Sequence, residues 1–467
     1  MPARIPRMTT ILDASPSSAP PTVASRGIRD PRVDQAARAI APLIRALGDG
    51  RSFAIRFWDG RGLQARGGRD PEFTIVIRRA AALRRMLLPP TDLALGEAFV
   101  RGDFDIEGDT FAAVGLPDRL GDVRLSASEL ARMTTRLLAL RDTSTRGDAG
   151  RDPALLSGEL HSAERDTAAV RYHYDVGNDF YRLWLDERMV YSCGYFRSAD
   201  GTLDEAQLAK LDLVLDKLAL GDGMRLLDIG CGWGGLLFRA LERFDVEAVG
   251  ITLSERQHAH IREQIEARAL AGRARVELLD YRDAPRTLGR FDRVASVGMA
   301  EHVGRARMDD YMAAAHDSLR PGGLFLNHAI TAQPTRRETS GLLLGGPIWR
   351  AVKTRSFIDA YVFPDGELLP VAEMVAAGQR AGFEVRDVES LRPHYARTLR
   401  HWVRRLEERW DEAVAASSDA VARTWRLYMA GAAIGFERAH LDIHQQLFVL
   451  PRPDGSSDAG ETRWWSS

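Results

Sequence analysis

The segment Leu226-Leu-Asp-Ile-Gly230-Cys-Gly232-Trp-Gly234-Gly235 runs an apolar strand into an acid and a glycine loop, and Leu236, Leu237 and Ala240 then continue as a helix. Bare glycines let a nucleotide-like ligand approach the backbone; a purely structural tight turn is the competing reading. Gly230, Gly232 and Gly235 fit the dinucleotide spacing G-x-G-x-x-G, so the rival ligands are NAD and S-adenosylmethionine. A dinucleotide site expects an acid about 20 residues on, at the end of the second strand. That strand ends Val249-Gly-Ile-Thr-Leu-Ser254 and offers none, whereas Asp228 stands two residues before the first glycine. The balance favours S-adenosylmethionine. Ser254 and Gln257 form an S-x-x-Q capping box for the next helix, a structural duty whether or not they also touch ligand. Asp280-Tyr281-Arg282, after the third strand, faces the adenine end by the same topology.

Further chemistry-bearing stretches flank the loop: Tyr172-His-Tyr-Asp-Val-Gly-Asn-Asp179, Tyr191-Ser-Cys-Gly-Tyr-Phe196, Ser296-Val-Gly-Met-Ala-Glu301-His302-Val-Gly304, Leu326-Asn-His328-Ala-Ile330 and Pro393-His-Tyr395. Singly each has a bland reading: Cys193 as a small core residue, His328 as a strand-end histidine bonded to backbone, Tyr395 as a half-buried tyrosine. Glu301 and His328, however, both follow apolar strands at carboxyl ends, where open α/β sheets place ligands. Cys231, inside the glycine loop, reads as packing.

The elements that must position these residues follow from periodicity. Ile40, Leu43, Ile44 and Leu47 recur at helical spacing with Gly48 as a stop; Phe53, Ile55 and Phe57 alternate, Asp59-Gly60 turns, and Phe73, Ile75 and Ile77 alternate again. A small α+β domain over 31–142 is expected, after a polar, Pro- and Ser-rich disordered tail over 1–30. Residues 143–167 read as a linker, 168–452 as an α/β domain, and 453–467 as a second disordered tail whose Trp464-Trp465 is exposed or rests at a membrane interface. Five strand-like runs (224–229, 246–251, 275–279, 293–297 and 324–328) alternate with helical patterns, the texture of a parallel sheet.

Over 467 residues, 64 Lys plus Arg against 65 Asp plus Glu leave a net charge of -1, so nothing points to nucleic acid. Lysine occurs only at Lys210, Lys217 and Lys353, which reads as codon bias and discounts arginine runs. Two cysteines build no disulfide framework, and no export segment is recognisable, so a reducing cytoplasm is expected. No stretch approaches the ~18 to 20 apolar residues of a spanning helix; membrane contact would be peripheral.

From about Arg171 to Leu450 the chain resembles the cyclopropane-fatty-acyl-phospholipid synthase and mycolic acid cyclopropane synthase family. Y-H-Y-D-V-G-N-D-F-Y, M-V-Y-S-C-G-Y-F, L-L-D-I-G-C-G-W-G-G, S-V-G-M-A-E-H-V-G and L-R-P-H-Y-A-R-T-L occur in that family's order and spacing. The amino-terminal module looks like the smaller, sterol-carrier-like domain of its phospholipid-acting members. The resemblance implies a Rossmann-like class I methyltransferase domain preceded by that α+β domain. It also implies methylene transfer from S-adenosylmethionine to a cis double bond, through a carbocation whose added methyl loses a proton to close the ring. In the family a bicarbonate ion is the base, and the motifs place its site at Cys193, Glu301, His328, Ile330 and Tyr395. Cofactor contact is implied for Tyr191, Ser192, Asp228, the loop with Gly230, Gly232 and Gly234, then Thr252, Leu253, Ser254 and Gln257, and Tyr281 with Arg282; no metal is implied. One departure is Ala432, where the family usually has cysteine.

The expected partners are unsaturated phospholipid acyl chains at the inner face of a membrane, with a homodimer left open. Residues 341–363, rich in Leu, Ile and aromatic side chains, are read either as a lid over an acyl tunnel or as a packed insertion. A sister enzyme making methyl- or methylene-branched chains and a non-catalytic lipid-binding protein are the alternative readings.

Overall fold

The computed structural model describes residues 29–47, 51–65, 70–116, 125–141, 151–174, 176–333 and 355–466. The amino-terminal tail expected over 1–30 lies almost entirely outside the described residues, as do most of the segment 341–363 and the start of the expected linker.

Alternating apolar residues build the first domain. β1 (Phe53–Arg56), β2 (Gly62–Leu63), β3 (Phe73–Ile77) and β4 (Phe104–Gly108) form a sheet ordered β2-β1-β3-β4, with β1 parallel to β3. Helix Pro31–Ala46 starts well ahead of Ile40, where the expected apolar pattern begins, because Asp30 caps it by accepting from Arg32 N at 2.9 Å. Its Ile40 and Leu43 pack in one core with Phe53, Ile55 and Phe73.

The second domain is a seven-stranded sheet ordered β10-β11-β9-β8-β5-β6-β7. Its strands are β5 (Arg225–Ile229), β6 (Glu247–Thr252), β7 (Ala274–Leu278), β8 (Phe291–Val297), β9 (Leu319–Ala332), β10 (Glu384–Ser390) and β11 (Leu441–Val449). β5 to β9 pair in parallel, as expected, whereas β11 inserts antiparallel between β9 and β10. The chain winds from β5 outward to β7, then returns to β8, so the strand order reverses at β5/β8, the crevice where such sheets bind ligands.

Two boundaries are corrected. Part of the expected linker is structural: helix Ala163–Tyr174 begins inside it, and Ala154 is buried with its N–H donating to Ala360 O at 2.8 Å. Residues 453–466 are mostly exposed but anchored at Asp458, Ala459, Trp464 and Trp465 rather than a free tail. Arg293 is 1% exposed, and Asp458 accepts from it at 3.1 Å, a counter-charge such a buried guanidinium requires. Trp464 Nε1 donates to Asp216 O at 2.8 Å, and both terminal tryptophans pack on the sheet's flanking core.

Candidate active site

The carboxyl ends of β5, β6 and β8 open on a cavity lined by Gly230, Gly232, Thr252, Leu253, Gln257, Tyr281 and Arg282, all expected from the sequence. Asp166, Val170 and Tyr174 close its other side. Sequence reasoning gave Asp166 and Val170 no role and placed Tyr174 only within a chemistry-bearing stretch, although their i, i+4, i+8 spacing marks one face of a helix; Asp166 fell in the expected linker. Arg282 grips Asp280 with two bonds of 2.7 Å and reaches Asp166 at 3.1 Å, so it clamps helix Ala163–Tyr174 over the cavity. Gly230 has φ +74°, and a Cβ there would stand 3.0 Å from Met299 Cγ.

The capping box is half realised. Ser254 Oγ accepts from Gln257 N at 3.3 Å, but Gln257 Oε1 turns to accept from Thr252 Oγ1 at 2.8 Å instead of closing the box. Gln257 and Thr252 are thereby fixed at the cavity wall, while Ser254 stays behind it.

Asp228, Gly234 and Ser254 do not line this cavity. Leu227 and Ile229 face one side of the sheet, so the two-residue period of β5 turns Asp228 to the other, towards helix Leu203–Lys217. Burial pushes its carboxyl up to about 7, and burial lowers the nearby Lys210 ammonium to about 8. Lys210 Nζ donates to Ser192 Oγ at 2.9 Å, which braces the Tyr191-Ser192 turn from beneath. Gly234, at φ +85°, starts helix Gly235–Arg243, and a Cβ there would meet Phe238 at 2.8 Å, so its duty is close packing.

A second cavity of about 260 Å³ adjoins the first and shares Tyr174, Gly298 and His302 with it. Tyr191 and Ser192 line it, together with Glu301, His328, Ile330 and Tyr395. Glu301 sits in the short turn Ala300–His302 after β8; its Oε1 accepts from Ile330 N at 2.7 Å, and its buried Oε2 has no hydrogen-bond partner among the described residues. Burial pushes the Glu301 carboxyl up to about 7. His328 is not at its strand's end, because β9 runs on to Ala332 alongside β11; it stands level with Val297, the last residue of β8. Gln445, its direct neighbour on β11, lies with Nε2 3.2 Å from His328 Nδ1, and in this orientation it donates. The histidine proton is then on Nε2, which has no partner among the described residues. Burial holds His328 neutral and raises the Tyr395 phenol, so both remain hydrogen-bond donors.

Cys193 departs from expectation: it is fully buried outside the cavity lining, with Sγ 3.8 Å from Leu391 O, and burial pushes its thiol up. Cys231 is a packing residue as expected; a Cβ at Gly250 would lie 2.8 Å from its sulfur. Ala432 lines the second cavity.

Aromatic rings crowd the junction. Tyr174 meets Tyr191 edge-on at 6.2 Å, Tyr191 packs on Trp402 at 5.2 Å, and His173 stacks on Phe363 at 4.1 Å. Burial lowers His173 to about 3 and His302 to about 4, so neither competes as a cation beside a positively charged ligand. π faces without competing charge suit a sulfonium, and the glycine loop and carboxylates opposite suit the nucleoside end of S-adenosylmethionine. Gly230→Val is expected to raise the cofactor Kd at least ~10-fold, because a β-branched residue tolerates neither this φ nor the Met299 contact. Isothermal titration beside a melting curve checks it; unchanged affinity would place the loop's role in folding alone.

Residues 161–446 match the family described as mycolic acid cyclopropane synthetase, and residues 46–114 match one described only as a domain of unknown function, DUF7884. A Pseudomonas putida protein named "Probable fatty acid methyltransferase" is 40% identical over 409 residues, 88% of this chain and 94% of its own. The structure of the cyclopropane synthase MmaA2 from Mycobacterium tuberculosis covers 62% of this chain and all of its own, at 37% identity and a TM-score of 0.56. That of mycolic acid cyclopropane synthase CmaA1 complexed with SAH and CTAB covers 61% of this chain and 98% of its own, at 37% identity and a TM-score of 0.54. With the family matched over most of the chain and the cofactor crevice in place, this protein belongs to the mycolic acid cyclopropane synthetase family and is an S-adenosylmethionine-dependent methyltransferase of the cyclopropane synthase type.

Proposed function

We propose that this enzyme transfers a methylene group from S-adenosylmethionine to a cis double bond of a phospholipid acyl chain, with bicarbonate as the base. The observation that carries this reading is the pair of unpartnered buried atoms, Glu301 Oε2 and His328 Nε2, in an apolar cavity adjoining the cofactor crevice. A buried acceptor beside a buried donor suits an anion that is itself protonated on one edge: His328 and Tyr395 would donate hydrogen bonds to its oxygens, and Glu301 Oε2 would accept the hydrogen bond from its protonated edge. When bound, S-adenosylmethionine supplies an electrophilic methyl and bicarbonate a base that is not a side chain. The protein's residues do the rest. Tyr174, Tyr191 and Phe363 present π faces to positive charge developing on the acyl chain, and they exclude water that would quench it. Ile330 N–H fixes the Glu301 carboxylate so that only Oε2 is free. Ala432 supplies no nucleophile, and this route needs none.

Among the described residues no helix is long and apolar enough to cross a membrane. The proposed substrate is reached from a bilayer surface by peripheral contact on its inner face.

The P. putida relative's name favours a second reading, a methyl-branched product. Incubation with methyl-deuterated S-adenosylmethionine, bicarbonate and vesicles of cis-unsaturated phospholipid should add one methylene per turnover, with one deuterium lost on ring closure. Retention of every label, or a two-deuterium product that co-elutes with a methylene-branched rather than a ring standard, would establish branching instead, and no mass gain would overturn both.

A further inference from the structure

A third cavity, of about 290 Å³, lies inside the amino-terminal domain between its sheet and helix Asp92–Val100. Ile358 and Tyr428 line both this cavity and the one that holds Glu301 and His328. Helix Asp419–Glu437 is the partition: Leu427 and Gly431 face the amino-terminal cavity, Ala432 and Phe436 the active-site cavity, and Tyr428 both. Each cavity alone is below the usual size of ligand pockets, roughly 300–1,000 Å³; joined, they fall within it. Ile358, which lines both cavities, is an apolar side chain with 41% of its surface uncovered. The two domains are also held in one register. Arg423 reaches Asp105 at 3.0 Å, and Thr110 donates to Glu407 at 2.7 Å across the same contact.

Resting on the acyl-chain reading above, we infer that the amino-terminal cavity continues the active-site cavity and takes the methyl-terminal segment of the acyl chain, the part beyond the double bond. The chemistry of the wall selects this end. Asp92 and Tyr428 are the only residues in the described lining with oxygen-bearing side chains, and no Lys or Arg stands there. Asp92 accepts from Phe357 N at 3.1 Å and offers a phosphate only an acid. A headgroup would lose its hydration and gain no partner, whereas a hydrocarbon end loses nothing. The amino-terminal domain thus measures how far the double bond lies from the chain's methyl end, and the length of this cavity sets which bond reaches Glu301 and His328.

The test compares two phosphatidylglycerol vesicle preparations of equal acyl length, one with a long and one with a short segment beyond the double bond. Ala113→Phe and, separately, Gly431→Phe fill the amino-terminal cavity. Each is expected to lower turnover of the long-segment lipid at least ~10-fold relative to the short-segment lipid. Equal loss on both lipids, or selective loss of the short-segment lipid, would overturn the inference. A second measurement is independent of turnover. With S-adenosylhomocysteine bound, a photoreactive diazirine at the acyl methyl terminus should label wild-type residues 92–116, and one near the carboxyl end should not. Labelling of that region by neither probe, or by the carboxyl-end probe alone, would also overturn it. Absence of any mass gain in the wild type with this labelling intact would remove the proposed reaction and leave the chain-binding role standing.

Discussion

Glu301→Gln is expected to lower kcat by about 10²- to 10³-fold and to leave cofactor affinity at the wild-type value. The two carboxylate oxygens have separate duties, and this substitution divides them. The amide oxygen still accepts from Ile330 N, so the turn after β8 keeps its shape. At the position of the unpartnered Oε2, an acceptor becomes a donor, and a protonated edge of the base has nothing to bond. Rapid-quench turnover beside cofactor titration reads both quantities. Parallel loss of turnover and cofactor affinity would assign Glu301 to the scaffold.

The same variant carries a pH signature. Burial lifts the Glu301 carboxyl from its ordinary range to about 7, so the folded protein holds this proton more tightly than the unfolded chain does. The associated stability is complete below the unfolded carboxyl range and is lost as pH rises through about 7. Asp228 is raised to the same region by burial. In the ligand-free protein the urea midpoint should therefore fall between about pH 5 and 8, and Glu301→Gln should remove part of the slope and leave the Asp228 part. An unchanged slope would show that Glu301 is ionised throughout.

His328→Phe should cost about 10²-fold in kcat, and Gln445→Leu about tenfold, by a different route. Phenylalanine retains the ring's volume and removes the donor aimed into the cavity. Leucine at 445 leaves the imidazole in place but frees its tautomer, so the proton is shared between Nδ1 and Nε2 where the wild type holds it on Nε2. Gln445→Glu separates positioning from packing: a carboxylate accepts from Nδ1–H, puts the lone pair on Nε2 and should be slower than leucine despite its closer shape. Steady-state kinetics with folding checked by circular dichroism decides this. Equal activity of the leucine and glutamate variants would reduce Gln445 to a core residue.

Local patterns made much of this legible. The acid, the glycine loop and the alternating strands are written in stretches of about ten residues, since a strand's faces and a helix's first turn are set by near neighbours. The cofactor crevice and the strands β5 to β9 follow from them. Asp166 was missed because its helix has no strong apolar stripe, and it is held in place by Arg282, 116 residues on. Gln445 was missed because nothing in β11 says which strand it pairs with; insertion beside β9 is decided by packing of the whole sheet. Cys193 stands outside the cavity lining, because motif position does not state where a side chain points.

The carboxyl-terminal residues teach the same lesson in reverse. Their composition is that of a tail, yet Asp458 and Trp464 are fixed by a guanidinium and a carbonyl far away in sequence. The sequence by itself determined the fold class and the glycine loop of the cofactor crevice, and its family resemblance singled out Cys193, Glu301, His328, Ile330 and Tyr395 as the expected set. Only the tertiary structure decided which oxygen and nitrogen of that set have no partner among the described residues, which side chains turn away from it, and that Ile358 and Tyr428 line both the amino-terminal cavity and the one holding Glu301 and His328. The physical reason is range: backbone periodicity and glycine geometry act between neighbours, whereas strand register, buried counter-charges and cavity walls arise from contacts between residues far apart in the chain, whose partners exist only once the whole core has packed.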